Sequence, residues 1–320
     1  MRKPLNRTLR TLIVGVFAAS LAVSAYAAEF INILTGGTSG VYYPLGVALS
    51  QIYGKAIPGS KTAVQATKAS AENLNLLQAG RGEVAISLGD SLSDAWKGKE
   101  EAGFKSPLNK LRTIAALYPN YIHFVAVADS GIKSLADIKG KRISVGAPKS
   151  GTELNVREIL KAAGISYKDF AKVEYLSYAE SVELMKNKQL DVTLLSSGLG
   201  VAALRDLAVS QPVVFLTIPP EIVAKINDPA FQVGVIPAKT YEGQNADVTT
   251  ISVQNYLVTH EKVSPETVYL MTKSMFENLD QMIAAHAAAK AINKDNAART
   301  PPAPLHPGAE KYYREIGLIK

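Results

Sequence analysis

Three observations predict an α/β fold with largely parallel sheets for this 320-residue chain. Apolar, strand-like runs alternate with helix-like segments almost throughout. A strand, a loop of small residues and the start of a helix follow one another twice, once in each half of the chain. Past residue 27 no stretch is apolar enough for a membrane span, and the remaining chain of about 290 residues suits two domains.

The elements follow in order. Arg2, Lys3, Arg7 and Arg10 precede an apolar run, Leu12 to Val23, and the small-residue pair Ala25 and Ala27. This is the pattern of a secretory signal peptide over 1–27, with cleavage expected after Ala27 and an exported, periplasmic protein as the result. The chain has no cysteine, so neither a lipid anchor on cysteine nor a disulfide is available. The four basic residues of the leader take the formal charge from +7 to +3. No basic patch interleaved with aromatics points to nucleic acid.

Phe30-Ile31-Asn32-Ile33-Leu34 reads as a strand. Thr35-Gly36-Gly37-Thr38-Ser39-Gly40-Val41-Tyr42-Tyr43 follows, and then a helix with Val41, Leu45, Ala48, Leu49 and Ile52 on one face. Glycines let backbone approach a ligand, and the first N–H groups of a helix have no internal acceptor, so this is a place to hold an anion. Thr62 to Ala66 is the next strand, Ala71 to Ala79 the next helix and Val84 to Leu88 a third strand. Asp90 is placed to cap the short helix that carries Trp96. Arg112 to Tyr118 reads as a strand ended by Pro119, and Tyr121 to Ala128 as a new one. Ile143 to Val145 leads into Gly146-Ala147-Pro148-Lys149-Ser150-Gly151-Thr152 and a helix with Val156, Ile159, Leu160 and Ala163 on one face. This is the second strand–loop–helix device, and Ser150 or Thr152 is placed to cap its helix. Strands at 173–176, 192–195 and 213–218 alternate with helices at 180–188 and 199–209. Val248 to Thr259 is long and apolar enough to cross between domains, and Ser264-Pro265-Glu266 starts a last helix.

Catalytic signatures are missing. His123, His260, His286 and His306 show no metal-ligand spacing, and no Gly-x-Ser-x-Gly elbow or phosphate-binding P-loop is present. No cofactor or metal is expected, and no pair of acids is singled out.

Four stretches together resemble the TAXI solute-binding proteins of tripartite ATP-independent periplasmic (TRAP) transporters. They are residues 35–44, Ala116-Leu117-Tyr118-Pro119, Lys149-Ser150-Gly151-Thr152-Glu153, and 305–313 from Leu305 to Tyr313. The resemblance implies a type II periplasmic binding protein fold, with two α/β lobes, a hinge and a ligand cleft between them. It divides the chain into 28–119 as the first part of lobe 1, 120–245 as lobe 2, and 246–320 as the hinge return and the rest of lobe 1.

Carried over by position, the resemblance implies ligand contacts at Thr35, Gly36, Thr38, Ser39, Gly40, Val41 and Tyr42 in the first loop. It adds Thr67 and Ser70 from the second loop, where Ala69 stands in place of a common glycine. Asp90, the hinge-side Tyr118, then Ser150, Gly151, Thr152, Ser197 and Gly198 complete the set. His306, Tyr312 and Tyr313 read as structural.

The implied function is capture of a small organic anion, a dicarboxylate such as glutamate or 2-oxoglutarate, by a monomer that hands it to a TRAP membrane permease. An acidic Asp90 would suit a ligand with an ammonium group. Two other readings stay open: an exported enzyme acting on a carboxylated or phosphorylated small molecule, and a receptor for a membrane sensor.

Overall fold

The computed structural model describes residues 29–320. The signal-peptide reading and its cleavage site lie outside the described residues. In chain order the main elements are β1 (Phe30–Leu34), α1 (Tyr42–Ala56), β2 (Lys61–Gln65), α2 (Ser70–Gln78), β3 (Val84–Leu88), α3 (Gly89–Lys97) and β4 (Leu111–Val127). Then come β5 (Arg142–Ser144), α4 (Gly151–Ala162), β6 (Lys172–Glu174), α5 (Tyr178–Lys186), β7 (Val192–Ser197), α6 (Ala202–Ser210), β8 (Val213–Leu216), α7 (Pro220–Ile226) and β9 (Phe231–Ile236). β10 (Val248–His260), α8 (Pro265–Glu277), α9 (Leu279–Ala285), α10 (Lys294–Ala297) and α11 (Pro307–Glu315) complete the chain.

The strands order as β2-β1-β3-β10-β4-β7-β5-β6, with β8 added to β4 and β9 to β10. β2, β1 and β3 run parallel at one end, and β7, β5 and β6 run parallel at the other. β4 and β10 are antiparallel to their neighbours and join the two ends. The first part of β4 pairs with the last part of β10, and the last part of β4 pairs with β7 and β8. β10 starts against β9 and ends against β3. Each long strand therefore passes from one half of the sheet to the other. β3 and β7 are buried along their whole length, as parallel strands covered on both faces should be.

Pro119 corrects the expectation of two strands broken at that residue. β4 is continuous through it, with Pro119 opposite Gln254 and a register shift in β10 between Gln254 and Tyr256. Proline removes one ladder donor, and the irregular register there absorbs the loss. β9 and α7 are additions that the hydrophobic pattern did not indicate. Gly234 in β9 has a steric reason: a Cβ there would lie 3.0 Å from that of Ser252 and 3.2 Å from the Tyr121 ring.

One core of the second half gathers Ile143, Val156, Ile159, Leu194 and Leu216. A larger apolar cluster around Ile31, Ile33, Leu49 and Met271 extends from the first half into the second at Met185, Leu195 and Leu207, and another gathers Leu34, Leu74, Leu77 and Leu92. The C-terminal helices return to the first half. His306 N–H donates to Thr113 O at 2.9 Å, and the Tyr313 hydroxyl donates to Ile114 O at 2.8 Å. The His306 Nδ1 accepts from Gly308 N–H at 3.1 Å and so caps α11. His306 and Tyr313 are structural here, and Tyr312 stacks on Phe276.

Candidate functional site

The strand ends of both halves face a shared cleft, and four helices begin there. Tyr42, Ser70, Gly151 and Tyr178, the first residues of α1, α2, α4 and α5, all line one cavity of about 120 Å³. That is larger than a lone water or ion requires. The first N–H groups of each helix have no intrahelical acceptor, and the aligned peptide dipoles place partial positive charge at each start. Lys68 is the only charged residue lining the cavity among the described residues. Val41, Leu88, Ala69 and Ala147 add apolar wall, and Asn120, Ser177, Ser196 and Ser197 add polar groups.

Gly36, Gly40, Val41, Tyr42, Thr67, Ser70, Ser150, Gly151, Thr152 and Ser197 are brought together on this wall from the expected set. Several of their hydroxyls already serve the fold. Ser150 Oγ accepts from Glu153 N–H at 3.1 Å and caps α4. Ser70 Oγ accepts from Leu88 N–H at 3.1 Å, and Thr67 Oγ1 donates to Thr35 O at 2.8 Å. Thr152 Oγ1 lies 2.8 Å from the Tyr178 hydroxyl, which donates to Ser196 O at 2.7 Å. Ser196 Oγ is buried and has no protein partner.

Six expected residues do not line the cavity. Thr35 is fully buried one step before the loop, where its hydroxyl donates to Gln65 O at 2.8 Å. Thr38 and Ser39 occupy the tip of a tight turn closed by Gly40 N–H on Gly37 O at 3.0 Å, which turns them outward. Tyr118 is buried behind the wall and, with Val41 and Ala288, crowds Gly198 so closely that a Cβ there would meet all three. Gly198 is packed with them rather than open to the cavity. Asp90 lies in the first turn of α3, with Leu88 at the N-cap position, and hydrogen-bonds Asn155 outside the cavity.

Asn120, Tyr178 and Ser196 were missed. Asn120 sits two residues beyond Tyr118 on the same face of β4. Its Nδ2 donates to Ser196 O at 2.9 Å, and its Oδ1 accepts from Asn255 Nδ2 at 2.7 Å. Asn255 Oδ1 in turn accepts from the Tyr42 hydroxyl. The signal for Tyr178 was present: Ser177 and Glu180 form a capping box, which marks the helix start at Tyr178 rather than at Glu180.

The cleft is shut. Glu72 N–H donates to Lys149 O at 3.2 Å, Ala203 N–H donates to Ser39 O at 3.3 Å, and Arg157 Nη1 donates to Glu101 O at 2.7 Å, each between opposite halves. Burial pushes the Tyr42 and Tyr118 hydroxyls well above their ordinary range and Tyr178 up to about 12, so all three stay neutral; Tyr42 and Tyr178 donate, and the Tyr118 hydroxyl is buried without a partner. Among the described residues, no group of three or more His, Cys, Asp or Glu could hold a metal ion, and no helix is long and apolar enough to cross a membrane.

A model of the NMT1-like family matches residues 33–317. Among solved structures, a putative L-cystine ABC transporter protein from Listeria monocytogenes is similar at 14% identity, with a TM-score of 0.51 over 84% of this chain and 98% of that one. A structure from work on glutathione import via GshT and the cystine importer TcyBC of Streptococcus mutans gives 13% identity and 0.51 over the same shares. An ancestral arginine-binding protein bound to arginine gives 15% and 0.50, over 82% of this chain and 98% of that one. These likenesses show the fold, two α/β lobes of the type II periplasmic binding class.

Proposed function

The chain belongs to the NMT1-like family, and from that premise we propose that it is a periplasmic solute-binding protein of the TAXI kind, which captures a small organic anion and delivers it to a TRAP permease. Residues 28–119 with 246–320 would form one lobe and 120–245 the other, with β4 and β10 as the hinge strands. The carrying observation is the shut cavity into which four helix starts and Lys68 converge from both halves of the sheet. Such a site can hold a carboxylate by N–H groups and hydroxyls without an arginine fork. Closure strips water from those contacts and strengthens them.

The lining also bears on which anion is taken. Among the described residues it holds no carboxylate, because Asp90 is withdrawn to Asn155. An α-ammonium would meet four positive helix ends with no counter-charge. The apolar wall of Val41, Leu88, Ala69 and Ala147 suits a short methylene chain. A 2-oxo dicarboxylate such as 2-oxoglutarate therefore fits better than glutamate.

A thermal-shift screen of dicarboxylates, amino acids, sugars and phosphates tests the reading. A saturating ligand at a hundredfold excess over its Kd should stabilise the protein by about 2.7 kcal/mol. The expected order is 2-oxoglutarate above glutamate, with the bound molecule recovered unchanged. A response confined to sugars overturns the anion reading, and turnover of the ligand overturns the binding-protein reading.

A further inference from the structure

Asp90 and Asn155 meet across the seam between the two halves, away from the ligand cavity. Asp90 belongs to α3 and Asn155 to α4, and they are 4% and 0% exposed. Asn155 Nδ2 donates to Asp90 Oδ2 at 2.6 Å. The other oxygen of each side chain, Asp90 Oδ1 and Asn155 Oδ1, is buried with no hydrogen-bond partner. Buried polar oxygens without a partner are rare, and two of them on the same facing pair call for one explanation.

A carboxylate offers the amide nitrogen an acceptor and offers the amide oxygen nothing. A carboxylic acid meets an amide on both sides: its carbonyl oxygen accepts and its hydroxyl donates. A single proton on Asp90 Oδ1 supplies a donor for Asn155 Oδ1 and removes both orphans. From this geometry we propose that Asp90 is protonated when the seam is shut, that it pairs with Asn155 as an acid–amide latch between the lobes, and that closure therefore takes up a proton. The inference rests on the reading that the lobes close around a ligand.

The surroundings act in the same direction. Asp94 on α3, Glu101 in the turn after it, Glu158 on α4 and Asp228 after α7 line the same polar pocket as Asp90, with Lys99, Arg157 and Lys161 as the cations. Lys99 is engaged by Asp94 at 3.5 Å and Glu158 at 3.6 Å, and Arg157 by Glu153 at 2.5 Å. The Tyr42 hydroxyl on α1 feels the Asp90 charge, but it is neutral and donates to Asn255. Burial above all, with the charges of Asp94 and Asp228, pushes the Asp90 carboxyl up to about 7 against the smaller lowering effect of the Ser91 N–H and the Asn155 amide. With the lobes apart, water reaches Asp90 and returns it toward the ordinary carboxylate range. Between that range and about pH 7 the shut form binds more protons than the open form, so closure is favoured as pH falls. Above about pH 7 Asp90 is ionised in both forms, and the cost of closing is full and constant.

The test compares the intact mature protein with Asp90→Asn, whose neutral amide keeps the pair without a titrating proton. Calorimetry with 2-oxoglutarate from pH 5 to pH 8 should show wild-type affinity strengthening by up to about tenfold per pH unit as pH falls below 7, one proton's worth, and levelling off above 7. Proton uptake, read from buffers of different ionisation enthalpy, should accompany binding. Asp90→Asn should show neither. Equal slopes and equal uptake in both proteins overturn the latch. The Asp90 carboxyl carbon, followed by NMR with and without saturating 2-oxoglutarate, is a second measurement: a midpoint near 7 in the bound, shut protein upholds the proposal, and one in the ordinary carboxylate range in the bound protein overturns it. If 2-oxoglutarate binds neither protein, the 2-oxoglutarate reading fails, and the same NMR titration with the anion that does stabilise the protein in the thermal-shift screen decides the latch.

Discussion

The backbone N–H of Glu72 donates to the carbonyl of Lys149 at 3.2 Å, joining the first turn of α2 to the residue before Ser150, the N-cap of α4. Two helix starts thus face each other across the cleft, each carrying partial positive charge. Such a pair repels itself unless negative charge lies between them. On the proposed reading that charge is the ligand's, and the shape of the shut cleft depends on how closely the two turns approach.

Gly151 sets that approach. A Cβ at this position would lie 2.6 Å from Leu88 Cδ1 and 2.9 Å from Ser70 Cβ, both on the opposite half. Gly151→Ala should leave each lobe folded and wedge the cleft open. The expected loss is about 1–3 kcal/mol of binding free energy, the usual cost of overpacking. Calorimetry with 2-oxoglutarate would read this as weaker binding, and scattering would read it as a larger radius of gyration at saturation. Unchanged affinity would mean that the two turns do not meet when ligand is bound.

Ala69 carries backbone strain beside the cavity. Its φ of 71° and ψ of −145° fall where glycine is at home and other residues are not. It stands directly before α2, and a Cβ on Gly36 would touch its own at 3.3 Å. Ala69→Gly should raise unfolding stability by about 1 kcal/mol, relief of strain less the entropy that glycine loses on folding. Urea titration of both proteins checks this, and a destabilised variant would contradict it.

Acid should destabilise the fold through its buried histidines. Burial lowers His306 to about 4, and its Nδ1 must stay unprotonated to accept from Gly308 N–H. His123, also fully buried, is lowered to about 4. A histidine whose folded pKa is depressed binds fewer protons folded than unfolded between about 4 and its ordinary value near 6.5, so stability falls as pH drops through that window. His306→Asn keeps a side-chain cap and removes one titrating group. Urea unfolding from pH 4.5 to pH 7.5 should show a slope shallower by up to about 1.4 kcal/mol per pH unit. An unchanged slope would mean that His306 takes up its proton at the same pH in the folded protein as in the unfolded chain.

The strands and their order in the chain were plain in the sequence because apolar runs such as Val84 to Leu88 coincide with strands buried on both faces. The two strand–loop–helix devices were plain too, since apolar runs on either side bracket loops of glycine and small hydroxyl residues that end at a helix start. What a loop residue faces was not. Thr38 and Ser39 carry the same hydroxyl as Ser70, but a turn of four residues points them outward. Asp90 reads as a ligand contact until Asn155, 65 residues further on, takes its carboxyl. Asn120 and Ser196 enter the wall only through the pairing of β4 with β7, a long-range fact.

Those same residues form a connected chain between the two walls of the cavity. The Tyr178 hydroxyl donates to Ser196 O, and Asn120 Nδ2 donates to the same carbonyl. Asn120 Oδ1 accepts from Asn255, and Asn255 accepts from the Tyr42 hydroxyl. Asn120 lies where β4 passes from one half of the sheet to the other, beside Pro119 and the irregular register of β10. Tyr42 and Tyr178 are thus linked through side chains of the crossing strands β4 and β10. If this chain transmits closure, Tyr42→Phe and Tyr178→Phe should be non-additive in their effect on 2-oxoglutarate affinity, with a coupling of about 0.5–3 kcal/mol. In an Asn120→Ala background the coupling should vanish while each single effect persists. Spatial adjacency alone is no proof of transmission, and the double-mutant cycle supplies the coupling measurement it needs. Coupling that survives Asn120→Ala would place the communication in the cavity, through the ligand, and not in the hinge.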